Sequence, residues 1–285
     1  MTNIVYVPQM EAVADFYETS PFYRGELMFT MEEFKRGLPR GKTLIIGRNG
    51  NHHHQDVNHL KMLRDKRIIS EGEDLSLVLF DRHDDYGRYR KDLPEQTYGM
   101  GDWVSYGIFQ QMFANAIIVG AHPSSVSTDM DWLRNETLSP KGVMRWLEEV
   151  KLYLSGEGIV YDQFYPEAEA HLNANPCVQE YDVIEGRYVQ IKFKGLDQVT
   201  YGRAKSRVVV STDLDILDES EMEVDFFQGG VKTEGLEDLL RTVPEVVEAA
   251  IVSGFTEQSV KRTRPALRNM SRILAAHSEL LERSN

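Results

Sequence analysis

The chain has 285 residues and a mass of 32.7 kDa, within reach of one large α/β domain. With 41% hydrophobic and 27% charged residues it is near globular averages, which excludes wholesale disorder, and its one cysteine, Cys177, excludes a scaffold built on disulfides. Forty-five acidic against thirty-two basic residues leave a net charge of −13, which argues against a broad nucleic-acid footprint and either favours cationic or neutral ligands or serves solubility alone.

The opening residues MTNIVYVPQM carry no basic segment followed by an apolar run. No stretch approaches the roughly 18 apolar residues of a bilayer span. A soluble, cytoplasmic protein without a membrane partner is the expectation, although a single cysteine is compatible with secretion too. Residues 3–7 (NIVYV) and 43–46 (TLII) read as buried strands, 57–63 as a helix, and 75–80 (LSLVLF) as a strand. A helical period over 103–113 precedes a strand at 116–119 (AIIV), and another spans 141–154. Residues 161–182 are rich in Glu, Asn and Pro with weak periodicity, whereas 187–194 (RYVQIKFK) alternates cleanly. That alternation predicts a partly antiparallel decoration around 161–200. Then come a strand at 207–210 (RVVV), a helix over 236–247, a strand at 249–252 (AAIV) and a closing helix over 259–281, which Pro265 should kink or delay.

The strand runs are continuous rather than alternating, as a parallel sheet covered on both faces requires. Strands that alternate with helices predict a doubly wound α/β sheet with ligands beyond its carboxyl ends. Neither an internal repeat nor an interdomain linker is evident, so residues 1–285 read as a single domain.

The chemistry concentrates where predicted strands end. LSLVLF runs into Asp81-Arg82-His83-Asp84-Asp85. Extended backbone there would aim Asp81, His83 and Asp85 the same way. RVVV runs into a second acid-rich segment that includes Asp213, Asp215 and Asp218. Either segment alone is compatible with solvated loop acids; both together read as halves of one site. Carboxylates packed together need cations, and oxygen donors with one or two imidazoles suit a borderline-hard ion such as manganese. A third segment, Gly47-Arg48-Asn49-Gly50-Asn51-His52-His53-His54, also follows a strand. His52 is the preferred ligand there, with His53 in reserve.

In these motifs the sequence resembles the arginase, agmatinase and histone deacetylase superfamily, whose fold is a three-layer αβα arrangement around a mostly parallel sheet. Asn49-Gly50-Asn51-His52 resembles a degraded Gly-Gly-Asp-His segment, and Asp81 to Asp85 matches Asp-Ala-His-x-Asp except at alanine. Ser211 to Asp218 matches Ser-x-Asp-x-Asp-x-x-Asp-Pro except that Glu219 replaces proline. The resemblance implies two Mn2+ ions bridged by Asp81 and Asp213, with His52 and Asp85 on one ion and His83 and Asp215 on the other. It also places Glu257, at the end of IVSGFTE, against a substrate guanidinium. An ordinary first-turn glutamate is the plainer alternative there.

Arginases acting on free arginine carry an Asn-containing loop with a functional histidine after the second motif. Residues 86–103 here contain no histidine, which argues against free arginine. His122, directly after the AIIVG run, is then the nearest proton shuttle, or a loop histidine without a catalytic role. The departures resemble peptide arginases, which convert arginine to ornithine within ribosomally made peptides. Tyr86, Tyr89, Tyr98, Trp103, Phe226 and Phe227 are candidates to line a groove for such a chain, Trp103 foremost as a substrate contact, or else to pack internally.

The expected activity is metal-dependent hydrolysis of a guanidino group to urea and an amine. Asp85 would accept a proton. The rivals are a small-molecule ureohydrolase, a deacetylase-type amide hydrolase with one Zn2+, and a non-catalytic binding protein of the same fold. Self-association into a homo-oligomer stays open.

Overall fold

Short runs of branched apolar residues become strands of one sheet, because only a sheet covered on both faces buries such runs completely. A computed structural model of the chain describes residues 2–37, 41–47, 55–83, 85, 103–121, 177–184, 187–195, 205–222, 230–243, 246–254 and 264–283. In chain order the elements are β1 (Asn3–Tyr6), α1 (Glu11–Glu18), β2 (Leu27–Thr30), α2 (Met31–Gly37), β3 (Thr43–Ile46) and α3 (Asp56–Asp65). Then come β4 (Leu75–Phe80), α4 (Trp103–Phe109), β5 (Asn115–Ala121), β6 (Cys177–Ile184) and β7 (Arg187–Gly195). The last are β8 (Arg207–Asp213), α5 (Thr233–Thr242), β9 (Val247–Ser253) and α6 (Arg264–Arg283). Among the described residues no helix is long and apolar enough to cross a membrane.

The sheet runs β2-β1-β3-β9-β8-β4-β5-β6-β7. The seven strands from β2 to β5 are parallel, and β6 and β7 extend the sheet antiparallel. With its helices this makes a three-layer αβα architecture, the fold class that the strand and helix pattern predicts. Every residue of β3, β4 and β9 is buried, and each fully buried Val, Leu or Ile contributes roughly 1.5–3 kcal/mol. Across the central strands Ile46 pairs with Val252, Val252 with Thr212, Thr212 with Phe80 and Phe80 with Val119. The carboxyl ends of β3, β9, β8, β4 and β5 therefore lie along one edge.

The closing helix shows why its sequence is helical. Met270, Ile273, Leu274, His277, Leu280 and Leu281 are buried at three- and four-residue spacing, a stripe that packs on β9, α5 and α1. Arg272 adds a two-pronged bond to Glu237 of α5, at 2.9 and 3.0 Å. Pro265 is the second residue of the described helix, where a missing N–H costs nothing.

Several boundaries differ from the sequence expectation. The helix expected over 236–247 is Thr233–Thr242, and Val247 already opens β9. Val243 is extended (φ −60, ψ 138), the conformation imposed on a residue that precedes proline, here Pro244. The helix expected over 103–113 ends at Phe109, and Gln111 takes a positive φ of 53°. Cys177–Ile184, partly inside the stretch read as irregular, is β6, held between β5 and β7. The elements α1, β2 and α2 were not anticipated. The helix expected over 141–154 lies outside the described residues.

Candidate metal centre

β4 and β8 are neighbours, and the pairing of Phe80 with Thr212 continues so that Asp81 and Asp213 leave the sheet side by side. Asp81, Asp213 and Asp215 are all buried. Asp213 caps the one-turn helix Leu214–Ile216, its Oδ1 accepting from the Asp215 amide at 3.1 Å. This swings Asp215 back toward β4. Its Oδ1 accepts from the Arg82 amide at 3.1 Å, and Asp81 Oδ1 accepts from the His83 amide at 2.6 Å.

The backbone beyond Asp81 is not extended as the alternate spacing suggested. Arg82 and His83 form a bend, because their amides turn inward to the two carboxylates. The bend brings His83 Nδ1 to 2.6 Å from Asp215 Oδ2 and 3.7 Å from Asp81 Oδ1. One donor atom each from Asp81, His83 and Asp215 lies within 4.8 Å of the others.

Electrostatics strain this cluster. Burial raises the Asp215 carboxyl well above its ordinary range, and the charges of Asp213 and Asp81 push it further, against a lowering by His83. Burial by itself lowers the His83 imidazole, but hydrogen bonds to Asp215 and Asp81 outweigh it and lift the group to about 11. Without a cation, then, a proton on His83 does part of the neutralising, assisted by the Arg82 guanidinium near Asp215. Carboxylate oxygens and one imidazole nitrogen at this separation suit a divalent ion of hard to borderline character.

Asp85 stands apart from that trio of donor atoms. It is buried, with a φ of 45°, a left-handed conformation that costs a non-glycine residue roughly 1–3 kcal/mol. Trp103 Nε1–H donates to its Oδ2 at 2.6 Å, and the Val104 amide to its backbone carbonyl at 3.1 Å. Trp103, expected at the substrate, is thus fully buried and bonded to an acid of the second motif.

Several residues around the centre escaped the sequence reading. Asp56, 1% exposed at the start of α3, accepts from Ser211 Oγ at 2.7 Å. His59 Nδ1 lies 3.6 Å from its other oxygen. The bond ties the helix after the histidine-rich loop to β8, and an acid in a helix's first turn just past that loop was the only signal for it. On the opposite face of β8, Thr212 Oγ1 meets His277 Nε2 at 2.9 Å, while His277 Nδ1 lies 2.7 Å from the Ile273 carbonyl. The neutral imidazole therefore donates from Nδ1 and accepts at Nε2.

Gly254, with φ +95°, backs directly onto Asp213: a Cβ there would fall 2.1 Å from Asp213 Oδ1 and 2.5 Å from the Leu214 amide nitrogen. The carboxylate could rotate away, but the amide cannot. Gly254→Ala is therefore expected to destabilise the protein by more than about 1 kcal/mol and to move Asp213. A denaturation midpoint in urea equal to that of the wild type would show the approach to be looser than described.

His52, His53, His54, His122 and Glu257 lie outside the described residues, as do Tyr86, Tyr89, Tyr98, Phe226 and Phe227. The strands that precede the histidine run, His122 and Glu257 (β3, β5 and β9) end along the same edge as β4 and β8.

Sheet order and donor set define a three-layer α/β chain with a candidate divalent-metal centre at the carboxyl edge of its sheet. The fold is similar to that of solved amidino- and formimino-hydrolases and arginases. Proclavaminate amidino hydrolase from Streptomyces clavuligerus superposes with a TM-score of 0.58 at 13% identity, covering 100% of this chain and 92% of the other. Formimidoylglutamase from Bacillus subtilis subsp. subtilis str. 168 gives 0.56 at 12% identity, covering 99% and 87%. Trypanosoma cruzi formiminoglutamase, solved with Mn2+, gives 0.50 at 11% identity, covering 98% and 93%. No protein-family model matches the chain, and no curated protein sequence matches it. The likeness is one of fold.

Proposed function

We propose that this protein is a metal-dependent amidinohydrolase that cleaves a guanidino group to urea and an amine, acting on arginine within a peptide to leave ornithine. The observation that carries the reading is the convergence of Asp81, His83 and Asp215 from two strands on one small volume. A buried acidic cluster of that kind destabilises the fold unless it serves a cation. The donor set, and a similar fold solved with Mn2+, support manganese.

The residues that would hold two Mn2+ ions are His52, Asp81, His83, Asp85, Asp213 and Asp215. When bound, the ions supply Lewis acidity and water activation near neutral pH. Asp85 accepts a proton at its carboxylate, one oxygen of which also accepts from Trp103 Nε1–H. Glu257 receives the guanidinium as an ion pair, and the net charge of −13 draws in a basic substrate. His122 serves as the proton shuttle. Residues 1–285 act as one catalytic unit, with 161–200 as its decoration.

The test is a urea-release assay with Mn2+ on free arginine, agmatine and an arginine-bearing peptide, alongside metal analysis. Release from the peptide alone, with about two manganese per chain, is the expected result. Release from agmatine or arginine instead would assign a small-molecule ureohydrolase. One zinc with amide hydrolysis would assign the deacetylase-type reaction, and neither metal nor turnover a binding protein.

A further inference from the structure

The second motif ends at an acid whose backbone is left-handed and whose carboxylate meets a buried indole. We propose that Trp103 is a positioning residue: through its Nε1–H it fixes the Asp85 carboxylate, so that α4 sets the orientation in which Asp85 would serve as a ligand in the reading above. The inference rests on the amidinohydrolase reading above, since it assigns Trp103 a task within that same site.

Trp103 is the first residue of α4, and its ring is 0% exposed. A ring so enclosed cannot swing. The 2.6 Å separation between Nε1 and Asp85 Oδ2 makes this a short hydrogen bond. The next residue, Val104, gives its backbone N–H to the Asp85 carbonyl at 3.1 Å. One helical turn thus grips Asp85 twice, at the main chain and at the side chain. Asp85 needs that grip: a φ of 45° persists in a non-glycine residue when the surroundings impose it.

A buried tryptophan does seek a partner for its N–H, and a backbone carbonyl satisfies that need without orienting anything. Here the acceptor is the last acid of the segment that also holds Asp81 and His83. A donor behind a metal-ligating carboxylate sets the direction of the acid and its basicity, and loss of such a partner costs about 10- to 100-fold in metal affinity. An indole that merely uses Asp85 as a convenient acceptor costs fold stability and leaves metal affinity alone.

The experiment measures the Mn2+ dissociation constant, from the free-ion electron paramagnetic resonance signal, for the wild type, Trp103→Phe, Asp85→Asn and the double variant. Each melting temperature is taken without metal. Phenylalanine keeps the aromatic packing and removes only the donor. Trp103→Phe is expected to weaken Mn2+ binding about 10- to 100-fold and to add nothing on the Asp85→Asn background, because its route to the metal is then already cut. Wild-type affinity in Trp103→Phe, or an equal loss on both backgrounds, overturns the proposal.

A second measurement leaves the tryptophan in place. The indole N–H resonance of Trp103 in the 15N spectrum is expected to move upfield in Asp85→Asn, and an unmoved resonance refutes the contact. Failure of the guanidino reading would appear differently, as a wild-type protein that binds Mn2+ yet releases no urea. The dissociation constants would still decide the role of Trp103.

Discussion

Asp215→Asn is expected to weaken Mn2+ binding by more than about 100-fold, beyond the cost of losing an outer-shell partner, while leaving the metal-free protein at least as stable as the wild type. The two effects have opposite signs for one reason. Asp215 is buried beside Asp81 and Asp213, and its carboxyl is raised first by burial and then by those two charges. Asparagine keeps the shape and an acceptor for the Arg82 amide, which now bonds Oδ1 at 3.1 Å. It removes a charge whose burial and repulsion by Asp213 and Asp81 outweigh its pairing with His83 at 2.6 Å. A residue retained for packing behaves otherwise, since its loss lowers stability and does nothing to metal affinity. Urea denaturation without metal, paired with a Mn2+ titration, separates the cases; retention of tight binding by Asp215→Asn would remove this residue from the centre. Sites that hold like charges together trade stability for function.

Acid is expected to destabilise the protein through His277, by about 3 kcal/mol between pH 6.5 and pH 4. Burial depresses this imidazole from 6.5 to about 4, against a smaller raising effect of its bond to the Ile273 carbonyl. The sign follows from proton counting. Between those two values the unfolded chain binds a proton at His277 and the folded chain does not, so stability rises with pH. The contribution is complete above pH 6.5 and is lost as pH falls toward 4. His277→Gln keeps a polar group near Thr212 and cannot titrate, so its denaturation midpoint should vary less with pH over this range. Parallel pH profiles for the two proteins would show that His277 does not drive the acid transition.

Much of the sheet was legible because its signal is local. NIVY, TLII, LSLVLF and the runs within β5, β8 and β9 are largely apolar and do not alternate, the pattern that burial on both faces of a parallel sheet requires. β2 was not legible: LMFT is short, and at the sheet edge its Leu27 stays 41% exposed, so the hydrophobic contrast that marks a buried strand is missing. The helix placed over 236–247 overran because apolar spacing continues past Thr242, while the conformational demand of Pro244 on Val243 does not show in the spacing.

The candidate centre divides along the same line. Residue types and their positions after strands marked His52, Asp81, His83, Asp85, Asp213 and Asp215 as candidate donors, since chain order and donor chemistry are written in the sequence; among the described residues, donor atoms of Asp81, His83 and Asp215 come together. Which atoms meet was decided by tertiary structure alone: the parallel register that sets Asp81 beside Asp213, the bend that turns His83 onto Asp215, and the burial that seats Trp103 against Asp85. Hydrogen bonds such as that of Ser211 to Asp56, 155 residues apart, come about through sheet order, a property of the whole chain that no local window contains.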